Sequence, residues 1–581
     1  MRGEGHRKIF YAIELVFLKT GSFMVQTATI MDKGFVQIHS GDNVLVALRD
    51  LTPGTVVEYG AKRVVLKELI PAKHKFTMQS MQAGDEVYMY GVLVGRMSRA
   101  LSAGALITRE NTVHASGHAS VRNRSYQWEA PDISHFVSRT FRGYHRPDGR
   151  VGTANHWIVV PLVYCENRNI EILKDALTGR LGYDRGGSYR HKADLLVEKF
   201  LSGRSAGEIG RTDLSEGVIA SYRQERVFKN IDGIKFLTHQ MGCCSPRSDS
   251  DTLCGLIAGY ITHPNVAGAT ILSLGCQNAQ IHMLEEAIRM RDPHLKKPLV
   301  ILEQQKIGTE RVLMDEALKR TFAGLMEANE IERQPAPISR ISMGLECGGS
   351  DGFSGISCNP ALGYASDLLV ACGGASILSE FPELCGVEQE LSDRCETREA
   401  AEKFLNLMKR YNARAEQDGS GFYANPTEGN IRDGLITDAI KSAGAARKGG
   451  TAPIADVLDY PERQVKPGLH LLCTPGGDIE SVTAEVGAGA NVVVFTTGMG
   501  TPTGNAIAPT IKLSSNTALY QKMPDIIDQN CGEIVEGKKT IEQQGEEILN
   551  LVIRVAGGDL VPKAVALGQD DFMPWKRGIS L

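Results

Sequence analysis

Thirteen residues from Met343 to Gly355, MGLECGGSDGFSG, hold five glycines, two serines, one cysteine and one aspartate. Such a run favours neither a helix nor a strand interior, because glycine costs conformational entropy in both. The backbone N–H groups around Gly348 and Gly349, the hydroxyls of Ser350 and Ser354 and the carboxylate of Asp351 suit a polyol or carboxylate ligand. A second run, FTTGMGTPTGN from Phe495 to Asn505, repeats this chemistry with Thr496, Thr497 and Asn505. Neither run fits G-x-x-x-x-G-K-[ST] or G-x-G-x-x-G, which disfavours a nucleotide-phosphate loop. Tight glycine turns account for both runs equally well.

Two further groups could do chemistry. His39 with Asp42 and Asn43, in IHSGDNV, and His74 with Lys75, in PAKHKF, fall at strand–loop junctions. Two imidazoles from separate loops can bind one divalent metal, with Asp42 or substrate oxygens completing the shell. They can equally form an acid–base pair, or be plain surface histidines. Cys243, Cys276 and Cys347, with Cys165 as a candidate fourth, give a rival metal set. Thiolates at strand ends can hold a soft metal or an iron–sulfur cluster. No C-x-x-C pair supports this, and small buried thiols read the same way. Cys244 and Cys254 read as structural.

These residues need several elements to position them. At 581 residues, with 42% apolar content, the chain is long enough for three or four packed domains. Residues 34–117 alternate apolar and polar in short runs broken by Gly, Pro, Asn and Asp, which predicts a small β-rich domain. Residues 118–139 are polar and aperiodic and read as a linker carrying Trp128 and Phe136. From Thr140, short apolar runs alternate with helical stretches, which predicts α/β domains with mostly parallel sheets over 140–300 and 301–581. Cys165, Cys243 and Cys276 each follow such a run, where open sheets bind ligands.

Residues 1–33 begin basic and then apolar, but Glu14 and Lys19 interrupt the run and no small-residue cleavage site follows. An extension, or a true start at Met24 or Met31, is the expectation rather than a secretory signal. No stretch of about 18 apolar residues predicts a membrane span. A net charge of −4 with interspersed signs gives neither a nucleic-acid surface nor a membrane-seeking patch. Twelve scattered cysteines in a long chain fit reduced thiols in the cytoplasm.

Several long motifs, in order, resemble the altronate/galactarate dehydratase family. They are GYHRPDGRVGTANHW at 143–157, HQMGCC at 239–244, HPNVAGATILSLGCQ at 263–277, LECGGSDGFSGISCNPALG at 345–363, NPTEGN at 425–430, FTTGMGTPTGN, and DQNCGEI at 528–534. IHSGDNV, KHKF and YGVLVGR match the family's N-terminal SAF domain, a β-clip. The resemblance implies removal of water from a sugar acid such as altronate or galactarate, giving a 2-keto-3-deoxy acid. It implies a divalent metal, Fe2+ first and Mn2+ second, and a homodimer as the expected assembly. His39 and His74 match the family's SAF motifs residue for residue and, with Lys75, are the expected catalytic residues. Cys165, Cys243, Cys276 and Cys347 fall on the family's cysteines.

The sequence also departs from the family. Ala154 and Met499 stand where arginine is common, Gln277 where glutamate is common, and Ala439 and Ile440 where two adjacent glutamates are usual. Lost arginines remove fixed donors for a carboxylate. A sulfo-lyase acting on a sulfonated hydroxy acid, or a non-catalytic sugar-acid-binding paralogue, therefore stands as the alternative.

Overall fold

The computed structural model describes residues 34–122, 125–184, 187–214 and 225–578; the extension expected over 1–33 lies outside them. The first unit is built from short antiparallel strands. Phe35–Val36, Val44–Ala47 and Lys75–Thr77 form one antiparallel sheet. Glu86–Met89, Val92–Met97 and Thr112–Val113 form another, and Val56–Tyr59 pairs with Lys62–Val65 in a hairpin.

In the second unit, His156–Pro161 (β1), Gly233–Phe236 (β2), Val266–Ser273 (β3) and Leu299–Glu303 (β4) lie parallel in the order β2-β1-β3-β4. Every residue of β1 and β3 is buried, as their unbroken apolar runs require of strands covered on both faces. Helix Glu310–Ala328 packs on β3 and β4. This unit therefore runs past residue 300, where the sequence pattern set a boundary. Its last strand straddles that point and its cover follows it.

The third unit holds seven parallel strands. They are Ser342–Cys347 (β5), Ala375–Leu378 (β6), Ile454–Leu458 (β7), Gly468–Leu472 (β8), Val492–Thr497 (β9), Thr510–Ser514 (β10) and Gln529–Asn530 (β11), in the order β7-β8-β6-β5-β9-β10-β11. The chain leaves β5 on one side, reaches β7, and returns past β5 with β9. Such a reversal opens a crevice beyond the carboxyl ends of the strands.

Specific contacts join the units. Helices Arg247–Thr262 and Asp478–Ala488 meet with Gly259 against Gly487. A Cβ at Gly259 would overlap the Gly487 carbonyl, and one at Gly487 would come within 2.5 Å of Leu256 Cδ1. The segment expected as a linker lies against the third unit: Tyr126 donates to the Thr451 carbonyl at 2.7 Å and Trp128 Nε1 to Thr451 Oγ1 at 3.1 Å. Among the described residues no helix is long and apolar enough to cross a membrane.

Trp157, at the start of β1, is fully buried, and its indole N–H donates to Thr270 Oγ1 at 3.1 Å. Its ring fills the space left by Gly268 and Gly324, either of which would overlap it with a Cβ. Alanine in mid-helix normally gains about 1 kcal/mol over glycine. At Gly324 overpacking outweighs that gain, so Gly324→Ala is expected to destabilise by about 1–3 kcal/mol. A lowered urea or thermal midpoint checks this; an unchanged or raised midpoint contradicts it.

Candidate active site

Buried carboxyl groups converge at the crevice of the seven-stranded sheet. Glu346 and Cys347 end β5, Glu380 lies just beyond β6, Glu383 sits in the turn Phe381–Leu384, and Asp478 opens helix Asp478–Ala488, which also carries Glu485. Glu346, Glu380 and Asp478 offer oxygens within 4.8 Å of one another, and Cys347, Glu380 and Glu383 form a second such group sharing Glu380. The Lys448 ammonium lies 2.6 Å from Glu380 Oε2 and 2.8 Å from Cys347 Sγ. Lys441 lies 2.6 Å from Glu383 Oε1 and donates to Asn425 Oδ1 at 2.6 Å. Serine hydroxyls fix the acids from behind. Ser379 donates to Glu485 Oε1 at 2.7 Å and Ser481 to Glu346 Oε2 at 2.8 Å. A Cβ at Gly348 would overlap the Asp478 carboxylate, so glycine is what lets that group approach β5.

The acids outnumber the cations. Burial, with Glu380 and Glu485 as neighbours, holds the Glu346 carboxyl well above the usual range. Burial and the Glu380 and Glu383 charges push Asp478 up to about 7, and burial pushes Glu485 up to about 8. Glu383 goes the other way: burial opposes its charge, but Lys441 and Lys448 hold it low. Glu346 Oε1, Glu380 Oε1 and Glu485 Oε2 are buried without a donor. Glu346 and Glu380 approach as a hydrogen-bonded pair, which two carboxylates achieve only with a proton or a cation between them. That donor set, oxygens with one thiol, fits a divalent cation.

The SAF unit closes one side. Lys73 Nζ lies 3.0 Å from both Asp351 Oδ2 and Asp433 Oδ2. Lys75 is fully buried and donates to the carbonyls of Lys73 at 3.0 Å and Gly434 at 2.6 Å. Burial pulls the Lys75 ammonium down to about 7, with Asp351 opposing and Lys73 assisting. Among the described residues three non-glycine residues take left-handed φ: Lys73 (73°), Tyr90 (58°) and Glu380 (62°). Two lie where the SAF unit docks and the third in the acid cluster, as strain held at a functional site would.

Most of the glycine loop's hydrogen bonds are internal to the protein. Five of its N–H groups serve the protein: Gly348 donates to the Thr496 carbonyl, Asp351 to Ser354 Oγ, Gly352 to the Asp433 carbonyl, and Phe353 and Ser354 to Asp351 Oδ1. Asp351 is a hub, also accepting from Ser515 Oγ at 2.7 Å and Asn516 Nδ2 at 3.1 Å. The glycines serve close packing; a Cβ at Gly352 would come within 2.5 Å of the Lys73 carbonyl. The Gly349 carbonyl accepts from Gly498 and Met499, and the Ser350 carbonyl from Asn430 Nδ2. Thr496 donates to Asn359 Oδ1 and Thr497 accepts from Gly500. Asn505 spends its amide on Tyr260 and on the N–H groups of Ile507 and Ala508.

The other expected residues scatter. Asp42 accepts from the N–H groups of His39, Tyr90 and Gly91, and Asn43 pairs through both ends of its amide with the strand Glu86–Met89. His39 is exposed, its Nδ1 accepting from Gly41. His74 is half-buried beside Lys73 and Lys75, and burial lowers its basicity. Neither imidazole belongs to a metal-competent group among the described residues. The thiols also divide: Cys347 belongs to the acid cluster, whereas Cys165, Cys243 and Cys276 lie at the other sheet. Met499 faces Gly429 in the short helix Glu428–Arg432, while Ala154 is buried beside Arg146. Ala439 and Ile440 are buried in helix Asp438–Ala445.

Sequence reasoning missed Glu346, Glu380, Glu383, Asp478, Glu485, Lys441, Lys448 and Lys73. The available signal was positional: an acid as the penultimate residue of a fully buried strand, and another two residues after the next strand. A further group is His114, Cys385 and Asp438, in which His114 Nδ1 contacts the Asp438 carboxylate.

Comparison with known proteins agrees along most of the chain. Residues 33–115 match the altronate/galactarate dehydratase SAF domain, 143–329 the D-galactarate dehydratase/altronate hydrolase second domain, and 338–580 the D-galactarate/altronate dehydratase C-terminal domain. The chain is 32% identical to altronate dehydratase of Bacillus subtilis, over 91% of this chain and 96% of that one. It is 30% identical to altronate dehydratase of Escherichia coli, over 94% and 100%. It is 28% identical to the galactarate dehydratase (L-threo-forming) of the same organism, over 90% and 93%. With three domain matches in order and relatives this similar over nearly their full length, the chain belongs to the altronate/galactarate dehydratase family.

Proposed function

We propose that this protein is a cytoplasmic, divalent-metal-dependent hydro-lyase that converts a sugar acid of the altronate or galactarate class to a 2-keto-3-deoxy acid. One observation carries the reading: the convergence of Glu346, Glu380, Glu383, Asp478 and Cys347 donors at the strand-order reversal of the large sheet. The names of the relatives support the same chemistry.

Removing water from a 2,3-dihydroxy acid makes two demands. The C2 proton is weakly acidic, and the C3 hydroxyl leaves poorly. Lys75 takes the C2 proton. Its neutral amine has two N–H groups for the carbonyls of Lys73 and Gly434 and keeps its lone pair. Asp478, the least buried of the clustered acids, protonates the departing hydroxyl. Lys448 and Lys441 supply positive charge as the enediolate forms. A divalent ion such as Fe2+ or Mn2+ would be held by Cys347, Glu380 and Glu383, leaving Asp478 free to carry its proton, and would supply Lewis acidity toward the substrate carboxylate. Met499, beside Gly349 and Gly429, offers no cation to a second carboxylate, which favours an aldonate over an aldarate.

The test is a panel of aldonates and aldarates with Fe2+ or Mn2+ under anaerobic conditions, assayed for 2-keto-3-deoxy product. Turnover is expected on at least one acid; binding of every acid without product rejects the reading. A base and an acid that both titrate near 7 give a narrow pH–rate bell centred there. Lys75→Met and Asp478→Asn should each cost about 100- to 10,000-fold in kcat. Near-normal turnover by either variant removes that residue from the mechanism.

Stability carries an independent readout. Glu485 keeps its proton when folded up to about pH 8 and loses it in the ordinary carboxylate range when unfolded. A raised folded value means the contribution is full below that ordinary range and drains as pH rises toward 8. His239 and His263, buried and held neutral, tilt the total the opposite way below their ordinary range. The comparison is therefore with Glu485→Gln: the wild type's midpoint should fall relative to the variant's between about pH 5 and 8. A constant gap contradicts the buried proton. Mn2+ at the upper pH should raise the wild-type midpoint but not that of Glu380→Gln.

A further inference from the structure

The second unit has a strand-order reversal of its own. β2 and β3 flank β1, so the loops after all three strands meet at one end of the sheet. Each loop carries a cysteine close to its strand: Cys165 after β1, Cys243 after β2, Cys276 after β3. The loops are laced together beside these residues. Tyr164 N–H donates to the Met241 carbonyl at 3.1 Å, tying the first loop to the second. Ala279 N–H donates to the Gly242 carbonyl at 3.1 Å, and Asn278 Nδ2 to the Ser245 carbonyl at 3.0 Å, so the third loop grips both sides of Cys243.

Two glycines make this possible. Gly242 has φ 97° and a Cβ there would overlap the Leu162 carbonyl; Gly275 has φ 125° and a Cβ there would lie 2.6 Å from Gln305 Oε1. Gln277, a departure from the family pattern, folds inward. Its Oε1 accepts from the Gly275 N–H at 2.6 Å and its Nε2 donates to Ser273 Oγ at 2.6 Å, which leaves Cys276 exposed between them. Cys165 is exposed and Cys243 half-buried. The Cys165 thiol hydrogen-bonds Cys243 and feels the charge of Cys276, and the Tyr164 hydroxyl also reaches Cys243.

We infer that Cys165, Cys243 and Cys276 hold an iron–sulfur cluster at the carboxyl end of the four-stranded sheet, with one iron left without a protein thiolate. Spacing favours a cluster over a single ion. Thiolates around one tetrahedral metal sit about 3.8 Å apart, given bonds of about 2.3 Å. Cys165 and Cys243 are within hydrogen-bond reach, but the three thiols do not all lie within 4.8 Å of one another, as ligands of one ion would. A cluster, whose thiolates bind different irons, takes that spread. Cys347 is excluded from the set by its place in the acid cluster of the other sheet.

The experiment is anaerobic reconstitution of the full chain with ferrous iron and sulfide. It reads iron and acid-labile sulfide content, visible charge-transfer absorption, and the EPR signal of the dithionite-reduced protein. About four irons and four sulfides per chain are expected. Cys165→Ser, Cys243→Ser and Cys276→Ser should each fall toward background while Cys372→Ser keeps the wild-type content. Differential alkylation of the wild type gives a readout that survives a variant's failure to fold: the three thiols should react in the apo protein and be shielded after reconstitution. Iron taken up without sulfide, stoichiometric zinc in preference to iron, or unshielded thiols in the reconstituted protein would each overturn the assignment.

Discussion

Five acids, Glu346, Glu380, Glu383, Asp478 and Glu485, meet two ammonium groups, Lys441 and Lys448, in a nearly dry pocket at the end of the large sheet. Water cannot screen the surplus, and the cost of isolated buried charge is far larger than a fold can absorb. The surroundings answer that imbalance. Burial and neighbouring charge raise the pKa of the Glu346, Asp478 and Glu485 carboxyls, and serine hydroxyls turn toward Glu346 and Glu485. Glu346, Glu380 and Glu485 each keep one buried oxygen without a donor. The same stress makes acid–base chemistry available near neutrality, because groups that ordinarily titrate far from pH 7 are brought to it.

The scaffold was legible in the sequence and the pocket mostly was not. β1, β3 and β9 announce themselves as unbroken apolar runs, because parallel strands buried on both faces tolerate little else. The SAF unit was visible for the opposite reason, since its short antiparallel strands alternate. The acids were invisible because glutamate usually marks solvent. No spacing rule joins residues 346, 380, 383, 478 and 485; only the order of strands does. The glycine loop misled in a different way. Its composition reads as a ligand loop, but most of its N–H groups bind Asp351, Ser354, Thr496 and Asp433 within the protein. Four cysteines read as one set belong to two sheets, a distinction that strand order alone could draw.

The molecule thus keeps two ligand chemistries apart. Hard oxygen donors with a single thiol gather beyond β5 and β6, and soft sulfur donors gather beyond β1, β2 and β3. Each collection sits where its sheet reverses strand order, so one topological device is used twice. The SAF unit touches the side of the first, through the ion pairs of Lys73 and the carbonyl bond of Lys75 to Gly434.

Helix Asp478–Ala488 belongs to both halves, presenting Asp478 and Glu485 at one face and pressing Gly487 on Gly259 at another. Not even a methyl group fits in that joint. Evolvability is therefore unevenly distributed. Rim positions such as Met499 can drift to suit a new sugar, while the joint tolerates no drift and keeps the reactive carboxyls at a fixed distance from the neighbouring sheet.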